Sequence, residues 1–174
     1  MAPNWRLRPV ATEDDPLLRQ IYAGTRRTEL ARTGWDALEC ERFLDLQYRA
    51  QTLHYGTHNP GAVHQIIETA AGAAWQAAGR LWLHPRHDAL HVLDIALLPA
   101  SCGRGLGTQV LRSVMGEAAA DGRAVTIYVE QGNPARRLYE RLGFVPKGPM
   151  QGVHQHMAWR AVQQTTRQVC DEQA

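Results

Sequence analysis

The sequence predicts a single α/β domain in which strands and helices are mixed along the chain. An apolar run over residues 89–99 ends at a loop with three glycines, and an amphipathic segment over residues 108–120 follows it. Residues 124–144 show the same order of strand and helix, and residues 63–83 add a pair of strands. Strand patterns that alternate with helical patterns indicate an α/β fold, with helices packed on a central sheet.

The N-terminal third is predicted to contain one strand and two helices. Apolar and polar residues alternate over residues 5–9, which favours a strand. Residues 12–15 resemble a capping box, and the helix that they start is expected to run to about Arg32. Asp36 can cap a second helix that reaches about His54, and a loop over residues 56–61 follows.

The remaining strands and helices are predicted from residue 63 onward. Gly72 marks a hairpin turn, Asn133 and Pro134 start the last helix, and Gly143 ends it. The strands are expected at residues 63–69, 74–83, 89–99 and 124–129, with a closing antiparallel pair up to Met150 and over residues 153–160. The predicted order of elements is therefore β-α-α-β-β-β-α-β-α-β-β.

Length, charge and cysteine content limit the class of protein. The 174 residues fit one domain, predicted over residues 1–160, with a polar tail over residues 161–174. A formal net charge of +2 gives no strong field for nucleic acid, and no apolar run reaches the ~18 residues of a membrane span. Cys40, Cys102 and Cys170 lack metal-site spacing. We expect a cytoplasmic protein with no metal, no nucleic-acid partner and no membrane contact.

The glycine-rich loop has the properties of an anion-binding site. Gly103, Gly105 and Gly107 permit tight turns and a close approach of a ligand to the backbone. The first turn of the next helix offers unpaired N–H groups and a positive dipole end. The Gly-Lys-Ser/Thr ending of a nucleoside-triphosphate loop is missing, and the third glycine comes one residue too early for a dinucleotide fingerprint. The loop therefore predicts a backbone cradle for phosphate or pyrophosphate and disfavours a nucleotide-binding domain.

Two segments together resemble motifs A and B of the GNAT superfamily, the acyl-CoA-dependent N-acyltransferases. Motif A, Gln/Arg-x-x-Gly-x-Gly/Ala after a strand, corresponds to residues 102–107, where Cys102 replaces the usual Gln or Arg. The pattern Asn-x-x-Ala/Arg-x-x-Leu-Tyr-x-x-x-Gly-Phe corresponds to residues 133–144. This resemblance covers roughly residues 88–146, and the order of elements extends it from about residue 5 to 160.

The resemblance implies both a fold and an activity. The fold is an α+β variant of the α/β class: a central mixed, mostly antiparallel sheet of six to seven strands, splayed in the middle and flanked by about four helices. The activity is transfer of an acetyl group from acetyl-CoA, a co-substrate, directly to a small-molecule or peptide amine. A longer acyl group, a non-catalytic acyl-CoA-binding or interaction module, and a homodimer all remain open.

The resemblance also implies which residues hold the coenzyme. Backbone amides near Ile95 and Leu97 would bind the acyl carbonyl and the pantetheine arm. Arg104 would supply the charge that Cys102 lacks, and Asn133 would cap a helix, contact the arm, or do both. The full predicted coenzyme set is Ile95, Ala96, Leu97, Cys102, Gly103, Arg104, Gly105, Leu106, Gly107, Thr108, Asn133 and Arg136.

The predicted catalytic residues are Tyr139 and His91. By resemblance, the Tyr139 hydroxyl lies beside the coenzyme sulfur, where a phenol can return a proton to the leaving thiolate. His91 lies near the strand position where the histone-acetylating branch has a glutamate, and an imidazole is a suitable base near neutral pH. Glu68, Asp94 and Glu130 are alternative bases on or beside central strands, and a water chain would need no dedicated base.

Overall fold

The computed structural model describes residues 4–161, which form one seven-stranded mixed sheet and four α-helices. The strands are β1 (Trp5–Pro9), β2 (Val63–Ala71), β3 (Ala74–Pro85), β4 (Ala89–Leu97), β5 (Ala124–Glu130), β6 (Val145–Pro146) and β7 (His154–Trp159). The helices are α1 (Asp15–Leu30), α2 (Ala37–His58), α3 (Leu106–Ala120) and α4 (Arg136–Arg141). Short 3-10 turns cover Thr12–Asp14 and Pro99–Ser101. The predicted tail lies outside the described residues except for residue 161.

The sheet has the order β1-β2-β3-β4-β5-β7-β6. Only β4 and β5 are parallel, because α3 connects them as a crossover, and the other neighbours pair antiparallel. The predicted fold class, a mixed and mostly antiparallel sheet with helices, is therefore confirmed. Within the described part of the chain, no helix has the length and apolar composition needed to cross a bilayer.

The helices cover the two faces of the sheet in pairs. Ile66 and Ile67 are consecutive residues of β2, and their side chains point to opposite faces. Ile67 belongs to a core that contains α3 and α4 residues such as Val110, whereas Ile66 packs with Leu18 and Tyr48 of α1 and α2. The α1–α2 pair and the α3–α4 pair therefore bury different faces of the same sheet.

The sheet opens between its two parallel strands. Pairing between β4 and β5 runs from Ala89↔Ala124 to Val92↔Ile127 and then stops. Beyond that point β4 continues to pair with β3, and β5 continues to pair with β7. The gap between residues 93–97 of β4 and residues 128–130 of β5 is called the wedge below. The predicted splay in the middle of the sheet is thus present.

A β-bulge marks the start of the wedge. Trp82 of β3 faces Asp94, and Leu83 faces Val92, so Leu93 has no partner residue on β3. An extra residue of this kind bends a strand and increases its twist. Leu93 is also the first residue of β4 beyond the last β4–β5 pair. The bulge therefore turns β4 away from β5.

Several elements differ in length from their sequence predictions, and the differences are clearest in α2, α4 and β6. α2 continues past His54 to His58, because Gly56 faces open space and the Tyr55 carbonyl accepts the N–H of Asn59 at 3.0 Å. α4 begins only at Arg136, since the residues before it form tighter turns, and β6 is limited to Val145–Pro146. Asp36 caps α2 as predicted, and it forms a capping box with Glu39 through reciprocal bonds of 2.9 Å each.

Candidate active site

The loop between β4 and α3 has the backbone conformation that its glycines were expected to allow. Gly103 has φ 71° and Gly105, the N-cap of α3, has φ 79°, both in the left-handed region that other residues rarely adopt. A Cβ added at either glycine would meet no atom within 4 Å. The protein leaves the space above these residues open, as a ligand that contacts the backbone requires.

The backbone N–H groups of residues 103–108 are free to bind a ligand. Gln109 is the first residue of α3 whose N–H reaches a backbone acceptor, the carbonyl of Gly105 at 3.0 Å. Within residues 4–161, the N–H groups of residues 103–108 have no hydrogen-bond acceptor. These groups and the positive end of α3 form a cradle suited to an anion such as a pyrophosphate.

The side chains of the loop add little to this cradle. The Cys102 thiol lies 3.5 Å from the Leu98 carbonyl, its hydrogen-bond acceptor, and is directed at its own chain. Arg104 is exposed, so its guanidinium can approach a phosphate from solvent. The cradle is therefore built mainly of backbone, with Arg104 as the exposed positive charge beside it.

The loop and the wedge meet at Gly107. A Cβ on Gly107 would lie 3.8 Å from Leu97 of β4 and 3.8 Å from Leu138 of α4. Ile95 and Leu97 pack against the α3–α4 core, and Ala96 lies on the opposite face, buried. The edge of β4 that faces β5 has no strand to pair with here, so its backbone groups are available to a ligand lying along residues 95–97.

Tyr139 combines a packed ring with an unbonded hydroxyl. The side chain is 5 % exposed, and its ring centroid lies 5.8 Å from that of Phe144. Among the described residues, nothing forms a hydrogen bond with its hydroxyl. The hydroxyl oxygen is not fully buried, so it keeps some contact with solvent. Burial raises its pKa well above the usual value, and the negative charge of Asp94 raises it further. Tyr139 is therefore a protonated phenol close enough to Asp94 to sense its charge.

Asp94 is the first residue of β4 beyond the bulge and is held by a buried arginine. Arg80 Nε donates to Asp94 Oδ2 at 2.7 Å, and Arg80 Nη2 donates to Gln51 Oε1 at 2.7 Å. The Arg80 side chain is 1 % exposed and that of Asp94 is 20 % exposed. Sequence reasoning did not identify Arg80 or Gln51. The signal that could have indicated a buried charge pair is an arginine next to Gly79 within an apolar strand.

His91 lies in the paired part of the sheet rather than in the wedge. It faces Thr126 of β5, and its Nδ1 is 2.8 Å from the Thr126 hydroxyl. Burial lowers the pKa of His91 to about 4, and the positive charge of Arg86 contributes. His91 is therefore neutral at physiological pH and hydrogen-bonded one residue before the last β4–β5 pair.

The other predicted residues lie in different surroundings. Glu68 accepts hydrogen bonds from Arg6 and Arg8 at 2.7 and 2.9 Å, so its carboxylate is engaged at the β1 side of the sheet. Asn133 Oδ1 accepts the N–H of Ala135 at 2.9 Å, which makes it a turn-capping residue. Arg136 Nε donates to Glu140 of the same helix at 2.9 Å. Glu130 is at the exposed end of β5 and pairs with His154.

Residues 62–146 match the family model described as an acetyltransferase (GNAT) domain. The chain therefore contains a GNAT acetyltransferase domain over these residues. The matched GNAT segment includes the glycine loop, the wedge and Tyr139, and the described strands and helices on both sides complete the same fold. Among curated proteins, no sequence matches this GNAT chain at a significant level.

Solved structures share the GNAT fold at low sequence identity. The PaiA N-acetyltransferase from Thermoplasma acidophilum, in complex with coenzyme A, is 16% identical with a TM-score of 0.67; the match covers 91% of this chain and 100% of that one. The acetyltransferase from Thermus thermophilus is 21% identical with a TM-score of 0.63 (91% and 98% covered). The spermidine N-acetyltransferase from Vibrio cholerae, in complex with CoA and spermine, is 16% identical with a TM-score of 0.60 (90% and 95% covered).

Proposed function

We propose that this protein transfers an acetyl group from acetyl-CoA directly to the amine of a small molecule or peptide. The observation that carries the proposal is the cradle of free N–H groups at residues 103–108, which opens onto the wedge beside Tyr139. The coenzyme complexes of the Thermoplasma and Vibrio proteins support the donor, and the spermine in the latter supports an amine acceptor. The free thiols of Cys40 and Cys102 are compatible with a reducing cytoplasm.

The coenzyme would lie along the backbone that the sheet leaves unpaired. The pyrophosphate would accept hydrogen bonds from residues 103–108, with Arg104 adding charge from solvent. The pantetheine arm would run past Ile95, Ala96 and Leu97, and the acyl carbonyl would accept a backbone N–H near the bulge. Asn133 and Arg136, at the start of α4, would border the arm. Acetyl-CoA would thereby be held with its carbonyl carbon in the wedge, open to the α1–α2 face.

The reaction needs one base and one acid. The amine nitrogen attacks the thioester carbon, and the oxyanion that forms is stabilised by backbone N–H groups of β4. The carbon–sulfur bond then breaks, and the Tyr139 hydroxyl gives its proton to the leaving thiolate. The raised pKa of Tyr139 keeps this hydroxyl protonated until the thiolate forms. A base must also take the proton that the amine nitrogen loses as it becomes an amide nitrogen.

Two of the predicted bases remain candidates after comparison of their surroundings. His91 is neutral and able to accept a proton, but it lies among paired residues and bonds Thr126. Asp94 lies beyond the last β4–β5 pair, and its charge acts on Tyr139. Arg80 bonds Oδ2 of Asp94, so Oδ1 is the oxygen available to orient and deprotonate the amine, whereas both carboxylate oxygens of Glu68 are bonded by arginines.

The proposal is tested by two measurements in sequence. Calorimetry should detect binding of coenzyme A to the purified protein, and a panel of amines should then be assayed for thiol release from acetyl-CoA. Release that depends on one amine, with acetylation of that amine seen by mass spectrometry, would establish the transfer. Binding without release in every case would favour the alternative, a non-catalytic acyl-CoA-binding module.

A further inference from the structure

Two side chains of α2 are linked to the bulge region at the start of the wedge, Tyr55 directly and Gln51 through an arginine. The Tyr55 hydroxyl donates to the carbonyl of Leu93 at 3.1 Å, and its ring packs edge-on against Trp82 with centroids 5.1 Å apart. Gln51, one turn earlier on α2, accepts from Arg80, which in turn holds Asp94. One face of α2 is thus bonded, directly or through one arginine, to the two consecutive residues Leu93 and Asp94.

These bonds fall where β4 is least supported by the sheet. Leu93 has no partner on β3, and neither Leu93 nor Asp94 pairs with β5. A bulged residue is left out of the ladder, so its backbone orientation depends on other contacts. Burial raises the pKa of Tyr55 to about 12, which keeps its hydroxyl a donor throughout the neutral range. The Leu93 carbonyl therefore keeps a hydrogen-bond donor on α2 across the neutral pH range.

We propose that Tyr55 is a positioning residue of the acetyl-transfer site, fixing the β4 bulge so that its backbone and Asp94 face the reacting carbonyl. Gln51 supports the same arrangement through Arg80. This inference rests on the proposed function, because it assigns the bulge to the acyl carbonyl. Tyr55 bonds the Leu93 carbonyl, so its effect on the acyl group would pass through Leu93.

The packing of α2 separates a role of Tyr55 at the wedge from simple attachment of the helix. Tyr48 is the only buried residue among the 22 of α2, so the helix is otherwise held lightly, mainly against α1. Tyr48 bonds Asp15 of α1 at 2.9 Å and has no bond to β4. The two tyrosines thus lie on one helix and each donates one hydroxyl bond, but only the Tyr55 bond reaches the wedge. Tyr48→Phe is the matched control for Tyr55→Phe.

The first measurement is steady-state kinetics on the wild type and both variants with one acceptor found in the thiol-release screen. Tyr55→Phe should lower kcat by roughly 10- to 100-fold, because small misplacement of aligned groups is costly, with coenzyme affinity unchanged. Tyr48→Phe should keep the wild-type kcat with a similar change in melting temperature. A kcat for Tyr55→Phe within twofold of that for Tyr48→Phe would overturn the proposal.

The second measurement does not depend on catalysis. Hydrogen exchange of the segment over residues 91–97, followed by mass spectrometry, should become at least about tenfold faster in Tyr55→Phe and stay unchanged in Tyr48→Phe. Unchanged exchange would overturn the inference whether or not an acceptor is found. Failure to find any acceptor would count separately, against the proposed function. If Tyr55→Phe fails to fold, Gln51→Leu takes its place: faster exchange in that segment supports the clamp, and wild-type exchange overturns it.

Discussion

Among single side chains, Tyr139 has the most specific predicted role. Tyr139→Phe keeps the ring that packs on Phe144 and removes only the hydroxyl, which bonds nothing among residues 4–161. We expect kcat to fall by ~10²–10⁴-fold, the usual cost of losing a general acid. Coenzyme affinity should hold, and the loss of stability should stay far below the ~3 kcal/mol of removing a whole ring. Kinetics and a thermal melt decide this, and a wild-type kcat would remove Tyr139 from the mechanism.

The choice between Asp94 and His91 can be settled by two near-isosteric changes. Asp94→Asn removes the charge in the wedge, and we expect kcat to fall by ~10²–10⁴-fold. His91→Gln removes an imidazole that bonds Thr126 in the paired part of the sheet, and we expect a change of only a few-fold. The comparison is of kcat at saturating amine. A larger loss in His91→Gln than in Asp94→Asn would assign the base to His91.

Arg104 tests whether the loop compensates for Cys102. Because Arg104 is exposed, Arg104→Ala should weaken coenzyme binding by no more than about 1 kcal/mol. The remaining affinity should also depend less on salt, since one screened charge is gone. Cys102→Arg should maintain or improve the affinity. Calorimetry at two salt concentrations would contradict the compensation if Arg104→Ala changed neither the affinity nor its salt dependence.

At the level of elements, the proposal is that the glycine loop and α3 act together as a pyrophosphate cradle. Gly107→Asp would place a negative charge in the first turn of α3, and its Cβ would make only ordinary contacts at 3.8 Å. We expect coenzyme affinity to fall by at least ~2 kcal/mol, more than tenfold. Gly116→Asp, exposed on the same helix with nothing within 4 Å of its Cβ, is the control. Equal affinity in the two folded variants would rule out the cradle.

Gly105→Val is the less informative change at this loop. Its left-handed φ of 79° would strain any residue with a Cβ, so a loss of coenzyme binding would mix backbone strain with obstruction. The Gly107 position has no such strain, because its φ is not positive. The pair of Gly107→Asp and Gly116→Asp therefore isolates the charge beside the phosphate.

The sequence predicts some elements of the site much better than others. The three glycines and Tyr139 belong to local patterns, so the loop and the helix around Tyr139 could be located from the sequence alone. The bulge at Leu93 and the Arg80–Asp94 pair could not, because they depend on the register between β3 and β4. The end of α2 was misjudged for a similar reason: Gly56 indicates a break, but the fold tolerates it where it faces open space.

For the molecule as a whole, the buried His91 and the half-buried His64 link stability to pH. Burial lowers the pKa of His64 and of His91 to about 4, against about 6.5 in an unfolded chain. As the pH falls below 6.5, the unfolded chain binds protons that the folded chain does not, so the free energy of unfolding decreases down to about pH 4. Each histidine adds a slope of up to about 1.4 kcal/mol per pH unit.

Denaturant melts between pH 7 and pH 4 would check this dependence. His91→Gln should reduce the slope of stability against pH, and a double change with His64→Gln should reduce it further. Burial also lowers the pKa of His156, and hydrogen bonds with arginines lower the pKa of Asp14 to about 2 and lower that of Glu68, so the double variant should keep a residual slope in this range. A slope that is the same in wild type and double variant would contradict the assignment.

The central claim is that the wedge between β4 and β5 carries acetyl transfer from acetyl-CoA to an amine. The most direct test is release of coenzyme thiol from acetyl-CoA by the wild-type protein across a panel of small and peptide amines, with Tyr139→Phe assayed beside it. We predict release that requires one class of amine, matches the acetylated product in amount, and falls by ~10²–10⁴-fold in Tyr139→Phe. No amine-dependent release from a protein that binds coenzyme A would contradict the claim.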